Sequence, residues 1–240
     1  MTRRTVPAGA SADEAALKRD LVVACRVLAA NGHGDNILGH VSARLPGWDR
    51  FWMKGAGLGL DEVTEDDLLL LDLDGDVLEG TRRPHEEYPI HSEIMRAHPD
   101  ALAVVHTHPK FGIAFAARGL ELRPVSHEGA YFWPPGVPTF TEFTDLVRTR
   151  AQGEAVVRAL ADARALFLLN HGIAVRGSSV EDATVAAIIL ERSAEIQLLA
   201  QPSPDAPLRH TSAEEAVKKH AIWPPRMRAI FEYYARRLER

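Results

Sequence analysis

Cysteine is all but missing. Cys25 is the only one in 240 residues, so no intrachain disulfide can form, and the expected compartment is the reducing cytoplasm. A surplus of positive charge is missing too. Lys and Arg number 28 against 33 Asp and Glu, for a net charge of -5, and no basic run or basic helical face stands out. Nucleic acid is therefore not an expected partner. No apolar run approaches the length that spans a bilayer, so no membrane association is expected. The opening "MTRRTVPAGASADEAA" carries early arginines but no apolar stretch behind them, and is not read as a secretory leader. Internal repeats and low-complexity segments are absent as well.

What is present is an ordinary globular composition, 46% apolar and 25% charged, in a chain long enough for one large core. Residues 1–11 read as a loose tail. Ser11 or Asp13 is placed to cap a helix to about Asn31, with Leu17, Leu21, Cys25 and Leu28 at helical spacing. "HVSARL" and "RFWMKG" alternate like strands, and "DLLLLDLDGDVLEG" reads as two strands about an Asp74-Gly75 turn. The polar, Pro-bounded "TRRPHEEYP" is a loop before a helix from Ile90 to about His98. Then come a buried strand in "ALAVVHTH", a short helix at 110–118, a strand in "LRPVS" and a Pro-rich loop, "FWPPGVPTF". A helix at 143–162 precedes two strands, "ALFLLN" and "GIAVRG". The longest helix is expected from about Val180 to Ala200, with Leu190, Ala194, Ile196 and Leu199 on its core face. Closing helices are expected at about 213–221 and 225–239. Residues 201–240 are too few for a second domain, so they read as a helical extension packed on the body or on a neighbouring subunit. The whole of 1–240 is expected to form one layered α/β or α+β domain, with hairpins that argue against a purely parallel sheet.

The chemistry starts at "VVHTHP", Val104 to Pro109. Alternate strand residues share a face, so His106 and His108 are expected side by side at a strand end. "LLNHGIAV" sets His171 at another strand edge, with Gly172 beside it to let backbones pass closely. Three neutral imidazoles from strand ends suit a first-row divalent ion and leave a position open. The competing reading is three separate core hydrogen-bonders. Glu87, in "PHEEYPIHSEIM", precedes the helix that leads into the histidine strand. It is either a solvated loop residue or a carboxylate for the same cleft.

"EYPIHSEIMRAHPDALAVVHTHP", then "LLNHGIAVRG" and "EDATVAAIILERSAEIQLLA", with "GHVSAR" upstream, resemble the class II aldolase/adducin family over about residues 15–200. Cupins also use H-x-H, but the downstream pattern and the many helices do not match them. The resemblance implies a three-layer α/β/α sandwich around a mainly antiparallel sheet. It implies one divalent metal ion per chain (zinc, manganese or iron(II)) on His106, His108 and His171, with Glu87 as acid/base. It further implies a homotetramer with active sites between subunits.

The departures bear on substrate. Where sugar-phosphate members hold phosphate, this chain has His40, Ala56-Gly57 and His85-Glu86. Glu86 is expected to repel a phosphate dianion, while His40, His85 and the Arg82–Arg83 pair are placed to meet a planar ring and its carboxylate. "GAGLG" lacks the context of a nucleotide loop and reads as a tight glycine turn. His40 and Ala56 resemble the branch that contains decarboxylases of small aromatic acids. His127 stands where phosphate aldolases place an interfacial tyrosine acid, so it is either an acid reaching a neighbouring metal site or a plain surface or core histidine. Tyr233 and Tyr234 are weaker interfacial candidates. His33, His91, His98, His210 and His220 are read as structural or exposed. The expected activity is carbon–carbon lysis through a metal-stabilised enolate. Decarboxylation of a small hydroxy-aromatic or hydroxy-keto acid ranks first, retro-aldol cleavage of a sugar-type substrate second, and a non-catalytic interaction module third.

Overall fold

Period-two alternation decides the architecture. In strand β3 (Leu68–Asp72), Leu68 and Leu70 join one apolar cluster while Leu69 and Leu71 join another. The strand is apolar on both faces, as a sheet covered by helices on both sides requires. The computed structural model of the chain describes residues 8–200 and 206–238. Its sheet has eight strands in the order β4-β3-β2-β1-β5-β8-β7-β6. The others are β1 (His40–Ala43), β2 (Arg50–Lys54), β4 (Val77–Glu79), β5 (Ala103–Thr107), β6 (Thr139–Phe140), β7 (Ala165–Leu168) and β8 (Gly172–Gly177). Every neighbouring pair is antiparallel except β6 with β7.

On one face lie α1 (Ala8–Leu28), α3 (Lys110–Ala117), α5 (Val180–Leu199) and α7 (Met227–Arg237), sharing a core with Val41, Val105, Phe167 and Val175. On the other lie α2 (Tyr88–Ala97) and α4 (Arg150–Leu160), packed on Met53, Val104, Leu166 and Ala174. The α/β/α sandwich on a mainly antiparallel sheet is the arrangement expected. A last helix, α6 (Ala213–His220), buries only Ala216. Among the described residues no helix is long and apolar enough to cross a membrane.

Several elements differ from the sequence reading, each for a local reason. Residues 8–11, assigned to the tail, are already helical, and α1 with 21 residues is one longer than α5; residues 1–7 of that tail lie outside the described residues. "LRPVS" is not a strand. Pro124 cannot donate to a ladder, and the segment is tied to α5 instead: Arg123 N donates to Gln197 Oε1 at 2.7 Å and Gln197 Nε2 to the Glu121 carbonyl at 2.8 Å. "FWPPGVPTF" ends in β6. Helix α4 starts at Arg150 rather than 143, because Thr149 and Gln152 form a reciprocal capping box. Residues 143–149 stay irregular and reach the site described below. Leu199, expected on the core face of α5, is 75% exposed.

The extension is anchored by Trp223, Met227 and Phe231, which join the cluster under α1 and α5. Phe231→Ala is expected to cost about 3 kcal/mol within a single urea transition followed by tryptophan fluorescence. An early, separate transition would show that the extension folds apart from the body.

Candidate metal centre

The register of three strands gathers the site. His40 of β1 faces His106 of β5 across the ladder. In β5, Val104 packs toward α2 and α4, so His106, two residues on, points to that same face. His108 follows on the same side, one residue past the strand. The β7–β8 hairpin turns at the same end, with Asn170 at φ 55° and His171 N bonded to the Leu168 carbonyl. Gly172 opens β8 against β5. A Cβ there would collide with the Thr107 carbonyl and come within 2.7 Å of His108 Cδ2, which is the close passage expected of it. Glu87 is the N-cap residue of α2, and the irregular segment before α4 fixes its carboxylate, Val147 N donating to Oε1 at 2.9 Å.

The ligand atoms of Glu87, His106, His108 and His171 lie within 4.8 Å of one another. Glu87 Oε2 stands 3.4 Å from His106 Nε2, 3.5 Å from His171 Nε2 and 3.9 Å from His40 Nε2. His106 Nε2 and His108 Nε2 are 3.1 Å apart. Second partners settle what those two nitrogens carry. His106 Nδ1 lies 3.0 Å from the Ile173 carbonyl and His108 Nδ1 2.9 Å from Asp35 Oδ2. Both partners only accept, so Nδ1 is the donor in each ring and the neutral Nε2 bears a lone pair. Two lone pairs that close, with a buried and unpartnered His171 Nε2 and a carboxylate, are a donor set for a cation. Ligands about 2.1 Å from a common ion sit about 3.0–3.4 Å apart, which these spacings match. The residues fit a divalent metal, and Asp35 and the Ile173 carbonyl are the outer partners that orient such ligands.

Burial works against charge around the cluster. It pulls His85 down to about 3, helped by Lys54, and His108 down to about 4, helped by His106 and His171. His40 and His91 are held well below the usual histidine range, chiefly by burial. For Glu87 burial acts upward, but the imidazoles around its carboxylate, His106 first, outweigh it and hold the group below the usual carboxylate range. Glu87 is thus a carboxylate at rest.

A cavity of about 600 Å³ opens beside the cluster, lined in part by Ala56, Gly57, His85, Glu87 and His108. These include three of the four residues expected to contact substrate. The fourth, His40, is fully buried behind His85, ring centroids 4.4 Å apart. Glu86 lines the cavity too, but its charge is met by Arg148 at 2.7 Å, which removes the expected repulsion of phosphate. Arg82 is turned to Asp67 at 2.6 Å; Arg83 alone of that pair lines the cavity. His127 is exposed, tilted against Trp223 with centroids 5.6 Å apart, and lies outside the cluster of its own chain. Tyr233 is 47% exposed and Tyr234 packs on the core. His33 is buried and bonded to Thr107 Oγ1 at 2.8 Å, a structural role. Sequence reasoning missed Asp35, Lys54, which lies buried 3.0 Å from His85 Nε2, and the Ser42–His91 pair behind His40. Asp35 left a faint signal, an acid in the glycine-rich "NGHGDN"; the others left none.

The sequence pattern of the class II aldolase and adducin N-terminal domain matches residues 19–198. The chain is 35% identical to the 3,4-dihydroxyphthalate decarboxylase of Arthrobacter keyseri over 198 residues, which are 77% of this chain and 78% of that protein. Among solved structures it is similar to an aldolase II superfamily protein from Pseudomonas syringae, with TM-score 0.83, 30% identity, and coverage of 98% and 95% of the two chains. It is also similar to the L-fuculose 1-phosphate aldolase of Glaciozyma antarctica, with TM-score 0.82, 26% identity, and coverage of 99% and 94%. A fold, a donor set and a sequence pattern thus agree, and the chain belongs to the class II aldolase and adducin family.

Proposed function

We propose that the protein is a divalent-metal-dependent carbon–carbon lyase that decarboxylates a small hydroxy-aromatic or hydroxy-keto acid. One observation carries the reading: imidazole lone pairs on His106 and His108 converge with His171 and Glu87 beside an open cavity. An adducin-like module without chemistry has no use for that donor set. His106, His108 and His171 would hold the ion, with Glu87 adding a fourth ligand when substrate is absent; zinc, manganese and iron(II) suit such donors. The ion supplies Lewis-acid stabilisation of the negative charge left when the carbon–carbon bond breaks.

The chain's own residues handle binding and the proton. Glu87 is tethered through Oε1 and keeps Oε2 toward the histidines. Oε2 takes a proton from a substrate hydroxyl on binding and returns it to the carbon from which carbon dioxide departs. The cavity wall offers Ile37, Leu38 and Leu146 for a flat apolar body, with Arg83 for an anion. Ala56 offers no hydroxyl to a phosphate. Similarity to a dihydroxyphthalate decarboxylase supports the same ranking. Retro-aldol cleavage is the second reading, favoured by the likeness to the L-fuculose 1-phosphate aldolase and by the retained Gly57 turn at φ 87°.

The assembly we propose is a cytoplasmic homotetramer of one-domain chains, in which His127 reaches a neighbour's site. Exposed Val77 and Leu78 on edge strand β4, Leu199, and Ile37 and Leu38 at the cavity support self-association, and the single buried cysteine fits a reducing compartment.

Three outcomes are expected. The purified protein should carry about one divalent ion per chain by elemental analysis, with His106→Ala, His108→Ala and His171→Ala each depleting it. Retention of the ion in any of these variants would remove that residue from the donor set. Glu87→Gln should keep the ion yet lose roughly 100-fold or more in turnover; unchanged turnover would move the proton to another group. In a metal-loaded screen, carbon dioxide release from aromatic ortho-hydroxy acids should exceed aldehyde release from fuculose or ribulose phosphates. Cleavage of the sugar phosphates with no decarboxylation would reverse the ranking.

A further inference from the structure

Behind Glu87 lies a file of buried polar side chains that the mechanism above does not use. Ser42 on β1, His91 on α2 and His40 on β1 are all fully buried. Ser42 Oγ is 2.6 Å from His91 Nδ1, and His91 Nε2 is 2.6 Å from His40 Nδ1. The file ends at His40 Nε2, a buried nitrogen without a partner, which faces Glu87 Oε2 from 3.9 Å. That gap is too long for a hydrogen bond.

The direction of the file can be worked out from its closed end. Ser42 must place a hydroxyl proton, and among the described residues its hydroxyl has no partner besides His91 Nδ1. Ser42 therefore donates and His91 Nδ1 accepts. A neutral His91 then carries its proton on Nε2 and donates it to His40 Nδ1, which leaves His40 protonated on Nε2. The reverse file strands the hydroxyl proton and turns a nitrogen lone pair toward the Glu87 carboxylate. Both defects are costly where no water can answer them.

We propose that Ser42 and His91 are positioning residues that lock His40 in its Nε2–H tautomer, making it a donor to a carboxylate oxygen of the substrate bound beside Glu87. The acceptor half rests on the decarboxylase reading above; the tautomer half does not. The unpartnered N–H is the observation that points to a ligand. It faces Glu87 Oε2, and a substrate carboxylate oxygen that accepts from both the His40 N–H and a Glu87 that has taken up the hydroxyl proton would close the gap. A donor there binds a charge that departs as carbon dioxide forms, so its loss should weaken binding of the acid more than it slows the chemistry.

The test uses the full chain loaded with zinc. Two-dimensional nitrogen NMR of histidine-labelled protein should show His40 protonated at Nε2 and bare at Nδ1; the opposite tautomer in the unaltered protein overturns the proposal without any variant. Calorimetry with 2,3-dihydroxybenzoate and with catechol, the same ring without a carboxylate, tests the acceptor. Ser42→Ala should weaken the acid by about tenfold and leave catechol unchanged, while Ser42→Thr, which keeps the hydroxyl, should retain both affinities. Equal weakening of acid and catechol would make Ser42 merely structural and defeat the assignment. Failure of the unaltered, zinc-loaded protein to bind either ring would sink the functional reading and the acceptor with it, and is told apart from a failed relay because the NMR still reports the tautomer.

Discussion

Two nitrogen lone pairs held 3.1 Å apart, on His106 and His108, are the constraint to which the rest of this end of the sheet answers. Lone pairs at that distance repel unless something positive lies near both. A proton shared between the rings would relieve one contact and leave His171 and Glu87 unexplained; a cation relieves them all. The surroundings keep the lone pairs where they are. Asp35 and the Ile173 carbonyl each take an Nδ1–H, so neither ring can flip its tautomer without breaking one of these bonds. Gly172 lets β8 pass against the Thr107 carbonyl, and without that passage His171 would not reach the cluster. The histidine file and the glycine serve one geometry.

This end of the sheet is also where the apolar core gives way. Along β1, Val41 and Ala43 join the cluster under α1 and α5, while His40 and Ser42 take the opposite face, where Met53 and Val104 would otherwise set the pattern. Burying four imidazoles and a hydroxyl there costs desolvation that only paired partners offset. The pairing is nearly complete, and its exceptions are informative. His40 Nε2 and His171 Nε2 are unpartnered, and both turn toward Glu87 Oε2. Those two atoms face the Glu87 carboxylate, whereas His33 Nε2 is unpartnered away from it; the bulk of stability comes from the two apolar clusters on either side of the sheet.

Sequence carried much of this and lost the rest for definite reasons. β2 was legible through its alternation, β3 through its apolar run and α5 through its apolar spacing, because burial on one face writes a period into the chain and burial on two writes a continuous apolar run. The clustering of three histidines was legible because strand alternation puts His106 and His108 on one side and a hairpin puts His171 at the same end. "LRPVS" was misread because the backbone here is bonded by the Gln197 side chain of α5 rather than by a ladder, and no period distinguishes the two. Asp35, Lys54 and the Ser42–His91 pair were missed because each acts across more than 30 residues of sequence through a single contact. Such a contact has no spacing to betray it. His91 sits four residues after Glu87 on the same helix, which reads as an ordinary interior position until β1 is laid beside it.

The fate of Glu86 shows how one step of a sequence argument can fail while the other steps stand. Read along the chain, an added carboxylate where relatives hold phosphate promises repulsion. In the fold, Arg148 from the irregular segment before α4 lies 2.7 Å from it, and the pair presents to the cavity no uncompensated negative charge. A preference against phosphate, as the proposed function requires, would have to come from elsewhere. Ala56 lacks the hydroxyl, and His85 is held from behind by buried Lys54, whose ammonium burial has drawn down to about 8. With Nε2 occupied by that ammonium, His85 cannot turn the same nitrogen to a ligand. What lines the cavity is an apolar wall and the Arg83 guanidinium, while His40 lies buried beside Glu87. On the proposed reading those features suit a flat body and one delocalised anionic group better than a tetrahedral dianion, which needs several convergent donors. That preference is set by which nitrogens are already engaged, a property of the network rather than of the residue types that compose it.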